Sequence, residues 1–485
     1  MSVDNAFSTF EMLLTEEVEP NVYGLELPGD DVAWSLMDTF PAVSTAGRTT
    51  GAAEGSEVDG YESSWRIRLQ RAGRVTGASW GGNSVTKMGP NNLLNMGQQV
   101  DDLYLDPVNT PSRSYAKIKM LLKKLQGSLV INRAQMEANL ISDPLEDVTA
   151  GYIEDAVFQV REMSTGMFWS AGHGVWALVN GSGQTITEAS ITQITIDNGS
   201  PFRFTEGQRY VASSLSSGVP TTPRAGSANN PGVFRCVSID TDARTVGFQS
   251  EPGEGTITLT DNDGIIPEGI YLFAPATDYA TESVETLLPT TGNYPGTSYD
   301  VATHKHLKAY IVDNTSSPVP PTPELIAGMC DKITDPGLEP PTTLVAERSI
   351  WTYYSQLERA SGAVYQVPQG APFTASGGVA APVIQHGTYT FAKLASSKCR
   401  EATIYGLAPE TWRRFMPGGG KTIRWNTTNG GIAGAPNLFH PIFVGRQMSR
   451  TSSAEFDYWV QFGQTNPRRN FIIKGVLSQR VADAA

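Results

Sequence analysis

The most informative stretch of the chain is residues 322–365, which read TPELIAGMCDKITDPGLEPPTTLVAERSIWTYYSQLERASGAVY. Thr322 is a suitable helix cap, and Pro323 stands at the first helical position, where its missing N–H costs nothing. Apolar residues then follow at helical spacing: Leu325, Ile326, Met329 and Ile333. Glycine and prolines at 335–341 end this helix, and Thr343–Val345 is a short strand candidate. A second helix is predicted next, with one apolar face: Ile350, Trp351, Tyr354 and Leu357.

The composition limits what the chain can be. Its 485 residues suggest two or three domains with a substantial core. The 48 glycines and 31 prolines predict few long helices. A net charge of -13 makes the chain a poor candidate for a protein that binds nucleic acid by neutralising its phosphates.

The cysteines and the N-terminus indicate a compartment. Cys236, Cys330 and Cys399 are widely spaced and odd in number, which predicts free thiols in a reducing environment. The N-terminal residues lack the basic and apolar regions of a signal peptide. No apolar run approaches the ~20 residues that span a membrane. We therefore expect a soluble protein made in a cytoplasm.

Residues 1–60 form an acidic segment with no Lys or Arg before Arg48. Its acidic residues up to position 38 are Asp4, Glu11, Glu16, Glu17, Glu19, Glu26, Asp30, Asp31 and Asp38. Because few apolar residues stand in register, the composition predicts an arm that stays outside the core.

Residues 61–131 predict a long β-hairpin. Apolar and polar residues alternate in both halves, which is the period of a half-buried strand: Trp65, Ile67 and Leu69, then Ala116, Ile118, Met120 and Leu122. Residues 77–112 between them lack periodicity, and such long excursions are usually functional. The hairpin is basic through Arg66, Arg68, Arg71, Arg74, Lys117, Lys119, Lys123 and Lys124. We expect the acidic arm to pack against it, in the same copy or a neighbouring one.

Residues 143–170 predict the longest helix. Asp143 can cap it, Pro144 takes the first helical position, and Glu146 completes a capping box. One apolar stripe follows: Ile153, Val157, Val160, Met163 and Met167. At 1.5 Å per residue the helix would be roughly 40 Å long.

Residues 181–285 differ from their surroundings, since Ser, Thr and Gly dominate them. Short alternating runs recur at Ile194–Ile196, Gly207–Ala212, Val233–Ile239, Thr245–Phe248, Ile257–Leu259 and Ile270–Phe273. Asp240-Thr241-Asp242 marks a hairpin turn. Several short strands at close spacing predict a small β-barrel or sandwich. Because helical and mixed α/β sequence patterns lie on both sides of this segment, we predict that it is an inserted domain.

The last part of the chain predicts one short helix and two strands. The helix runs from Leu407 to Phe415 and begins near Pro409. Residues 455–462 alternate as a strand, and Phe471–Leu477 is a continuous apolar strand.

Four patterns resemble functional motifs, and each has a simpler structural interpretation. Gly77–Gly81 fits G-x-S-x-G but lacks a buried strand before it and a helix after it. Gly418–Thr422 resembles the end of a phosphate loop but lacks the first glycine of that motif. His304 and His306 have no carboxylate or thiol cluster nearby, and Asp261–Gly264 begins like a calcium loop that stops there. We therefore predict no catalytic, cofactor-binding or metal-binding residues, and no enzyme.

The order of the segments resembles the major capsid proteins of tailed bacteriophages, with the Hong Kong 97-type fold. An acidic arm, a long basic hairpin, a spine helix, a mixed α/β domain and closing strands follow one another over nearly the whole chain. The local marks are Trp80-Gly81-Gly82-Asn83, Gly127, Asn132 and the unit at 322–365. The implied fold class is α+β, with an N-terminal arm, an extended β-hairpin loop, a spine helix, an axial domain and an inserted small β-barrel domain.

The resemblance also implies how the chain divides into domains. The parts are an arm at 1–60, an extended loop at 61–131, a peripheral domain at 132–180 and 445–485 with the spine helix at 143–170, an inserted β-barrel domain at 181–285, and an axial domain at 300–445. The minimal family pattern lacks the insertion.

The function implied by the resemblance is structural. The chain would assemble with itself into hexamers and pentamers of an icosahedral head that encloses double-stranded DNA without sequence-specific binding and without a membrane. It would be found in the virion after assembly in the host bacterial cytoplasm. Implied partners are a separate scaffolding protein, a portal protein and, as a further option, a decoration protein. The alternatives are another virion protein, such as a tail tube or decoration subunit, or an encapsulin-like shell protein.

Overall fold

A computed structural model describes most of the chain. The described residues are 36–37, 39–44, 57–59, 62–70, 114–132, 148–170, 172–181, 183–197, 199–216, 218–227, 230–240, 243, 245–270, 282–360, 383–386, 389–416, 423–425, 440–444 and 447–478. Several predictions lie outside them: the first 35 residues of the arm, the hairpin tip with its G-x-S-x-G pattern, the helix cap at Asp143, and Gly418–Thr422.

The N-terminal part of the chain contributes five strands and one long helix. They are β1 (Ala42–Ser44), β2 (Glu57–Asp59), β3 (Glu62–Gln70), β4 (Ser114–Leu121), β5 (Lys123–Asn132) and α1 (Val148–Phe168). β3 and β4 pair antiparallel, with Trp65 opposite Ile118, so the predicted hairpin is confirmed in its described strands. β5 leaves the hairpin and pairs antiparallel with a strand near the C-terminus.

Part of the acidic arm belongs to the core. Leu36, Met37, Phe40 and Val43 are buried, and the ring of Phe40 stacks on that of Trp412 with centroids 5.5 Å apart. The expectation that this segment stays outside the core is therefore wrong for residues 36–44. The apolar residues at 36, 37 and 40 share one side of a helical turn, and this local cluster outweighs the acidic composition around it.

Helix α1 is buried towards its C-terminal end. Val160 and Met167 are buried and Met163 is half-buried, as the predicted apolar stripe requires. The whole of 164–170 is buried, which exceeds what one amphipathic stripe gives. The end of α1 is therefore surrounded by other elements on all sides.

The predicted inserted barrel is confirmed. Its strands are β6 (Ala177–Val179), β7 (Gln184–Ile186), β8 (Thr192–Asp197), β9 (Arg209–Ser216), β10 (Val219–Pro223), β11 (Val233–Asp240), β12 (Thr245–Ser250), β13 (Ile257–Leu259) and β14 (Gly264–Pro267). Six of them close a ring in the order β9-β11-β12-β8-β6-β14, because β14 also pairs with β9. The ring begins at β6, before residue 181. Ile270 lies in a turn rather than in the predicted strand, since its N–H donates to the carbonyl of Pro267.

The barrel has its own core. Phe248 lies at its centre, with ring centroids 5.0 Å from Phe234, 5.6 Å from Phe204 and 6.0 Å from Tyr210. The surrounding apolar residues form a cluster of their own, against which Met163 of α1 packs from outside the barrel. The alternation read from the sequence therefore corresponds to inward-facing side chains.

The second half of the chain is mixed α/β. Its elements are α2 (Val284–Leu287), β15 (Tyr310–Asp313), α3 (Pro323–Thr334), β16 (Thr343–Ala346), α4 (Arg348–Ala360), β17 (Val383–His386), β18 (Tyr389–Ala395), β19 (Thr403–Leu407), β20 (Trp412–Met416), β21 (Ile423–Trp425), β22 (His440–Val444), β23 (Gln447–Gln464) and β24 (Phe471–Lys474). One sheet has the order β15-β24-β19-β16-β18-β17. In the other, β23 pairs with β5, β20, β21 and β22, and β1 joins at β20.

The helix, turn, strand and helix predicted within 322–365 are confirmed as α3, β16 and α4. The hydroxyl of Thr322 caps α3 by accepting the N–H of Leu325 at 3.3 Å. Gly337 ends that region with a φ of 79°, which favours glycine. Trp351 and Tyr354 of α4 are buried, and Leu357 is half-buried.

The predicted helix from Leu407 to Phe415 is wrong. The chain makes a single 3₁₀ turn at Pro409–Thr411 and continues as strand β20. Trp412 and Phe415 are fully buried, and β20 pairs with β1 on one side and β23 on the other. Tertiary pairing and aromatic residues that suit a buried strand therefore override the helix signal of the proline. The last strand, β24, ends at Lys474 because Gly475 has a φ of 71°.

The closed ring predicts that the barrel folds by itself. Residues 174–269 contain every ring strand, so this fragment should melt cooperatively and give a β-type circular dichroism spectrum. A matched fragment, residues 181–285, omits β6 and leaves the ring open, so it should melt at a lower temperature. A disordered 174–269 fragment would show that the barrel needs the rest of the subunit.

Candidate functional site

The motif-like patterns within the described residues have structural roles. The ring of His304 packs edge-on against Tyr299 at 5.1 Å. Among the described residues, no group of three metal-ligating side chains converges on one point. Asp263 is buried and accepts two hydrogen bonds from Arg224, at 2.6 and 2.7 Å. Its carboxylate thus fixes a tight turn, in which Asn262 has a φ of 63°.

The three cysteines are buried thiols. Burial raises the pKa of Cys236 to about 12, and it does the same for Cys330. Both thiols are therefore protonated at neutral pH, which makes them poor nucleophiles. No helix in the described part of the chain has the length and apolarity that crossing a membrane requires.

A cluster of buried and half-buried polar side chains, most of them charged, joins the main parts of the subunit. We call it the junction; its members are Glu162, Arg203, Glu285, Lys398, Arg400, Tyr405 and Lys474. They come from α1, from the barrel, from α2, from the loop after β18, and from β19 and β24. Charges this deep in a protein need partners, since taking an ion out of water is costly.

Arg203 is the centre of the junction. It is fully buried in the 3₁₀ turn Pro201–Arg203 of the barrel. Its guanidinium donates to three backbone carbonyls: Lys398 at 2.7 Å, Trp176 at 2.7 Å and Trp169 at 2.5 Å. Burial lowers the pKa of Arg203, but from an ordinary value so high that the group stays charged. Trp169 follows the C-terminus of α1, where the helix dipole favours a cation.

Glu162 links the same three parts through its carboxylate. It accepts a hydrogen bond from Lys398 at 2.5 Å and another from the hydroxyl of Thr205 at 2.8 Å. A neighbouring contact joins the barrel to the same loop, since the hydroxyl of Ser200 donates to the carbonyl of Ser397 at 3.2 Å. Helix α1, the barrel and the loop after β18 are thus held together twice.

Glu285 on α2 completes the junction. Its carboxylate lies 2.9 Å from Lys474 and 3.2 Å from Arg400, and it accepts the hydroxyl of Tyr405 at 3.2 Å. Burial alone would raise the pKa of Glu285, but Arg400 and Lys474 outweigh it, so the pKa lies below its ordinary value. Glu285 is therefore ionised at neutral pH, and it links the segment after the barrel to the sheet that contains β19 and β24.

The root of the hairpin is also fixed. The indole N–H of Trp65, which is fully buried, donates to the carbonyl of Gln464 at 2.9 Å, and its ring stacks on Phe415 at 5.2 Å. The side-chain amide of Gln461 donates to the carbonyl of Leu121 at 3.2 Å. The hairpin therefore starts from a rigid base on β20 and β23.

The two faces of the hairpin differ. Trp65, Ile118 and Met120 point inwards and are buried. The opposite face carries exposed side chains, which we call the outward hairpin face: Arg66, Lys117, Lys119 and Leu121. In β4 the alternation read from the sequence therefore gives a charged outer surface, as the period of two requires. In β3 both Ser63 and Ser64 are buried, so the outer surface there is not a simple alternation.

Sequence reasoning found the hairpin face but missed the junction. The hairpin repeats every second residue, whereas the members of the junction are scattered from 162 to 474 and belong to no local motif. Because the sequence has no lysine from 125 to 304, any lysine that contacts the barrel must come from another segment, but the sequence does not show which one.

No protein-family model and no curated protein matches the chain. Solved structures resemble it over nearly its whole length. The likeness is to capsid shells. The capsid of cyanophage A-1(L) is 9% identical, with 96% of this chain and 99% of that chain covered and a TM-score of 0.46. A chain of the capsid of a native GTA particle is 8% identical, with 98% and 100% covered and a TM-score of 0.41.

An encapsulin is also similar. The SrpI encapsulin complex from Synechococcus elongatus PCC 7942 is 8% identical, with 96% of this chain and 95% of that chain covered and a TM-score of 0.34. All three TM-scores are below 0.5.

Replacing Arg203 should destabilise the subunit strongly. Arg203→Met leaves three buried carbonyls without their donor, so we expect the free energy of unfolding to fall by about 3–5 kcal/mol in urea titrations. Arg203→Lys keeps the charge on a single nitrogen and should lose about half as much. The control is Arg209→Met, whose side chain is 49% exposed and lies 3.3 Å from Glu268; it should cost about 0–1 kcal/mol. Equal losses for Arg203→Met and Arg209→Met would contradict the role of Arg203.

The junction should also make stability depend on pH. Because the pKa of Glu285 is lower in the folded state than in the unfolded chain, its contribution is present above the unfolded value and is lost as pH falls through the folded value. Glu285→Gln should therefore lower the melting temperature at pH 7, and the difference from the unmodified chain should shrink below about pH 4.3. Melting curves between pH 7 and 3 measure this; a constant difference would show that Glu285 acts through packing alone.

Proposed function

We propose that this chain is the major capsid protein of a tailed bacteriophage. It would assemble into the hexamers and pentamers of an icosahedral head that encloses double-stranded DNA. Support comes from the order of elements: an anchored N-terminal segment, a hairpin, a long helix, an inserted barrel, a mixed α/β sheet and closing strands. This order is the one that the resemblance of the sequence implies.

The observation that carries the proposal is the hairpin with its fixed root. Trp65 and Gln461 hold the base, while the outward hairpin face is exposed and basic. A hairpin with a rigid base and a charged outer face is suited to contact another molecule. Repeated over a shell, contacts that are weak one by one become strong together.

We propose the division of the chain that the resemblance of the sequence implies. Residues 1–60 would be the arm, 61–131 the extended loop, 132–180 and 445–485 the peripheral domain, 181–285 the insertion and 300–445 the axial domain, with the barrel also taking strand β6 (Ala177–Val179). The junction would hold the insertion in one orientation on this frame. We propose no enzymatic role, since the described side chains that resemble motifs are engaged in turns and packing.

The proposed partners follow from the same function. We propose copies of the same chain, a separate scaffolding protein and a portal protein, with a decoration protein as a further option. The chain has a net charge of -13, which suits a shell that encloses DNA without binding its phosphates. The proposed location is the virion, after assembly in the host bacterial cytoplasm.

Electron microscopy of the purified full-length chain tests the proposal. We expect closed shells with rings of six and five subunits, formed alone or after co-expression with a scaffolding protein. Tubes would instead indicate a tail-tube protein. Single molecules under all of these conditions would contradict self-assembly. Shells that form around a cargo enzyme without a portal would favour an encapsulin-like protein.

A further inference from the structure

Two 3₁₀ turns in the second half of the chain lie against each other and carry a group of cations. The turns are Lys305–Leu307 and Pro467–Arg469, and they approach each other to within 8 Å between Cα atoms. Leu307 and Pro467 are buried, so both turns are fixed by packing. We call the three cations that these turns and their ends present the basic patch: Lys305, Lys308 and Arg468.

The basic patch has no carboxylate partner among the described residues. Both of its lysines are exposed, and Arg468 donates a hydrogen bond to the hydroxyl of Tyr310 at 3.2 Å. The neighbouring Arg469 differs, because its guanidinium forms ion pairs with Glu339 and Glu410. Cations without nearby carboxylates make the local potential positive, so the patch attracts an acidic occupant.

The chain itself contains a segment of complementary charge. Residues 1–35, which we call the acidic N-terminal segment, precede the first described residue and contain no Lys or Arg. Its carboxylates are Asp4, Glu11, Glu16, Glu17, Glu19, Glu26, Asp30 and Asp31. A segment with one sign of charge throughout is suited to binding a surface of the opposite sign.

The point at which this segment joins the described subunit leads towards the basic patch. The ring of Phe40 stacks on that of Trp412 at 5.5 Å, and the indole N–H of Trp412 donates to the side-chain carbonyl of Asn470 at 3.1 Å. Asn470 directly follows the turn that carries Arg468. Thr39 is exposed, so the chain reaches the surface here. The acidic N-terminal segment therefore starts close to the basic patch.

We propose that the acidic N-terminal segment docks on the basic patch of the same copy, with Asp30 and Asp31 against its cations. Docking would lay the start of the chain along the two 3₁₀ turns and neutralise the patch. The contact lies within one subunit, so it does not depend on the proposed self-assembly. The basic hairpin, which the sequence predicts as the partner of the arm, is the competing surface.

The length of chain between Asp30 and Leu36 agrees with this docking. A flexible chain of that length spans roughly 13 Å on average and about 20 Å at most. The path from Leu36 to Arg468, through one helical turn, two stacked rings and one hydrogen bond, is of the same order. Single exposed ion pairs are weak, but the tether raises the effective concentration of the carboxylates, so several weak pairs suffice.

Carbodiimide cross-linking of the full-length chain at low salt tests the docking, because it joins carboxylates to amines that form ion pairs. Peptide mass spectrometry should find links from the acidic N-terminal segment to Lys305 or Lys308. These should be about fivefold more abundant than links to Lys332, an exposed lysine of α3. Salt at about 0.5 M should remove most of this excess by screening. In an equal mixture of isotope-labelled and unlabelled subunits, the links should stay within one isotope.

Charge reversal on each side, alone and together, gives a second measurement. The patch variant is Lys305→Glu with Lys308→Glu, and the segment variant is Asp30→Lys with Asp31→Lys. Each should raise the rate at which a Glu-specific protease cuts the acidic N-terminal segment by about threefold or more. The combined variant should return to within about twofold of the unmodified chain, because the pairs are restored with exchanged signs.

A matched control and the contrary outcomes complete the test. Lys332→Glu with Arg348→Glu makes the same charge change at exposed positions outside the patch, so the cutting rate should stay unchanged. Links that join labelled to unlabelled subunits, links mainly to Lys117 or Lys119 of the hairpin, or a combined variant that fails to recover would overturn the docking. Normal shells without these links would overturn the docking alone, whereas a chain that gives the links but never assembles would overturn only the proposed function.

Discussion

The arrangement of the subunit depends on the hydrogen bonds that the buried guanidinium of Arg203 donates to three backbone carbonyls. The barrel has its own closed ring and its own aromatic core, and its Val211, Val233 and Ile266 belong to the main core of the subunit. Its orientation also depends on one buried cation, which holds carbonyls from the end of α1, from the start of the barrel and from the loop after β18. A buried cation is stable only when hydrogen-bond acceptors replace the water that it has lost. If one acceptor is missing, part of the desolvation cost is left uncompensated. The junction therefore makes the orientation of the barrel nearly all-or-none.

A second point of convergence lies at Gln464, near the end of the longest strand. Its carbonyl accepts the indole N–H of Trp65 at 2.9 Å and the hydroxyl of Tyr294 at 3.3 Å. The hairpin, the segment after the barrel and the C-terminal strand thus meet at one atom. Because β23 also pairs with β5 and β20, the sheet at the base of the hairpin cannot be completed until the C-terminal part of the chain is in place. Non-local pairing of this kind slows folding.

The elements that could be predicted from sequence are those specified locally. The cap at Thr322, the proline at 323 and the break at Gly337 lie within a few residues of the helix that they delimit, and the barrel strands show their own alternation. The errors lie where distant partners decide. The segment at 36–44 is core because Trp412 and Phe462 cover Phe40, and β20 is a strand because β1 and β23 pair with it. Glu162 and Lys398 are 236 residues apart, so no window of sequence could reveal their pairing.

The barrel's first and last strands are direct neighbours, with Leu178 opposite Gly264 and Ala177 opposite Ile265. The main chain therefore leaves the frame of the subunit and rejoins it at almost the same place, so the entropic cost of an insertion between these two points rises only slowly with its length. Another domain with adjacent termini would fit at this position if it reproduced the contacts that Ser200, Arg203 and Thr205 make with α1 and with the loop after β18.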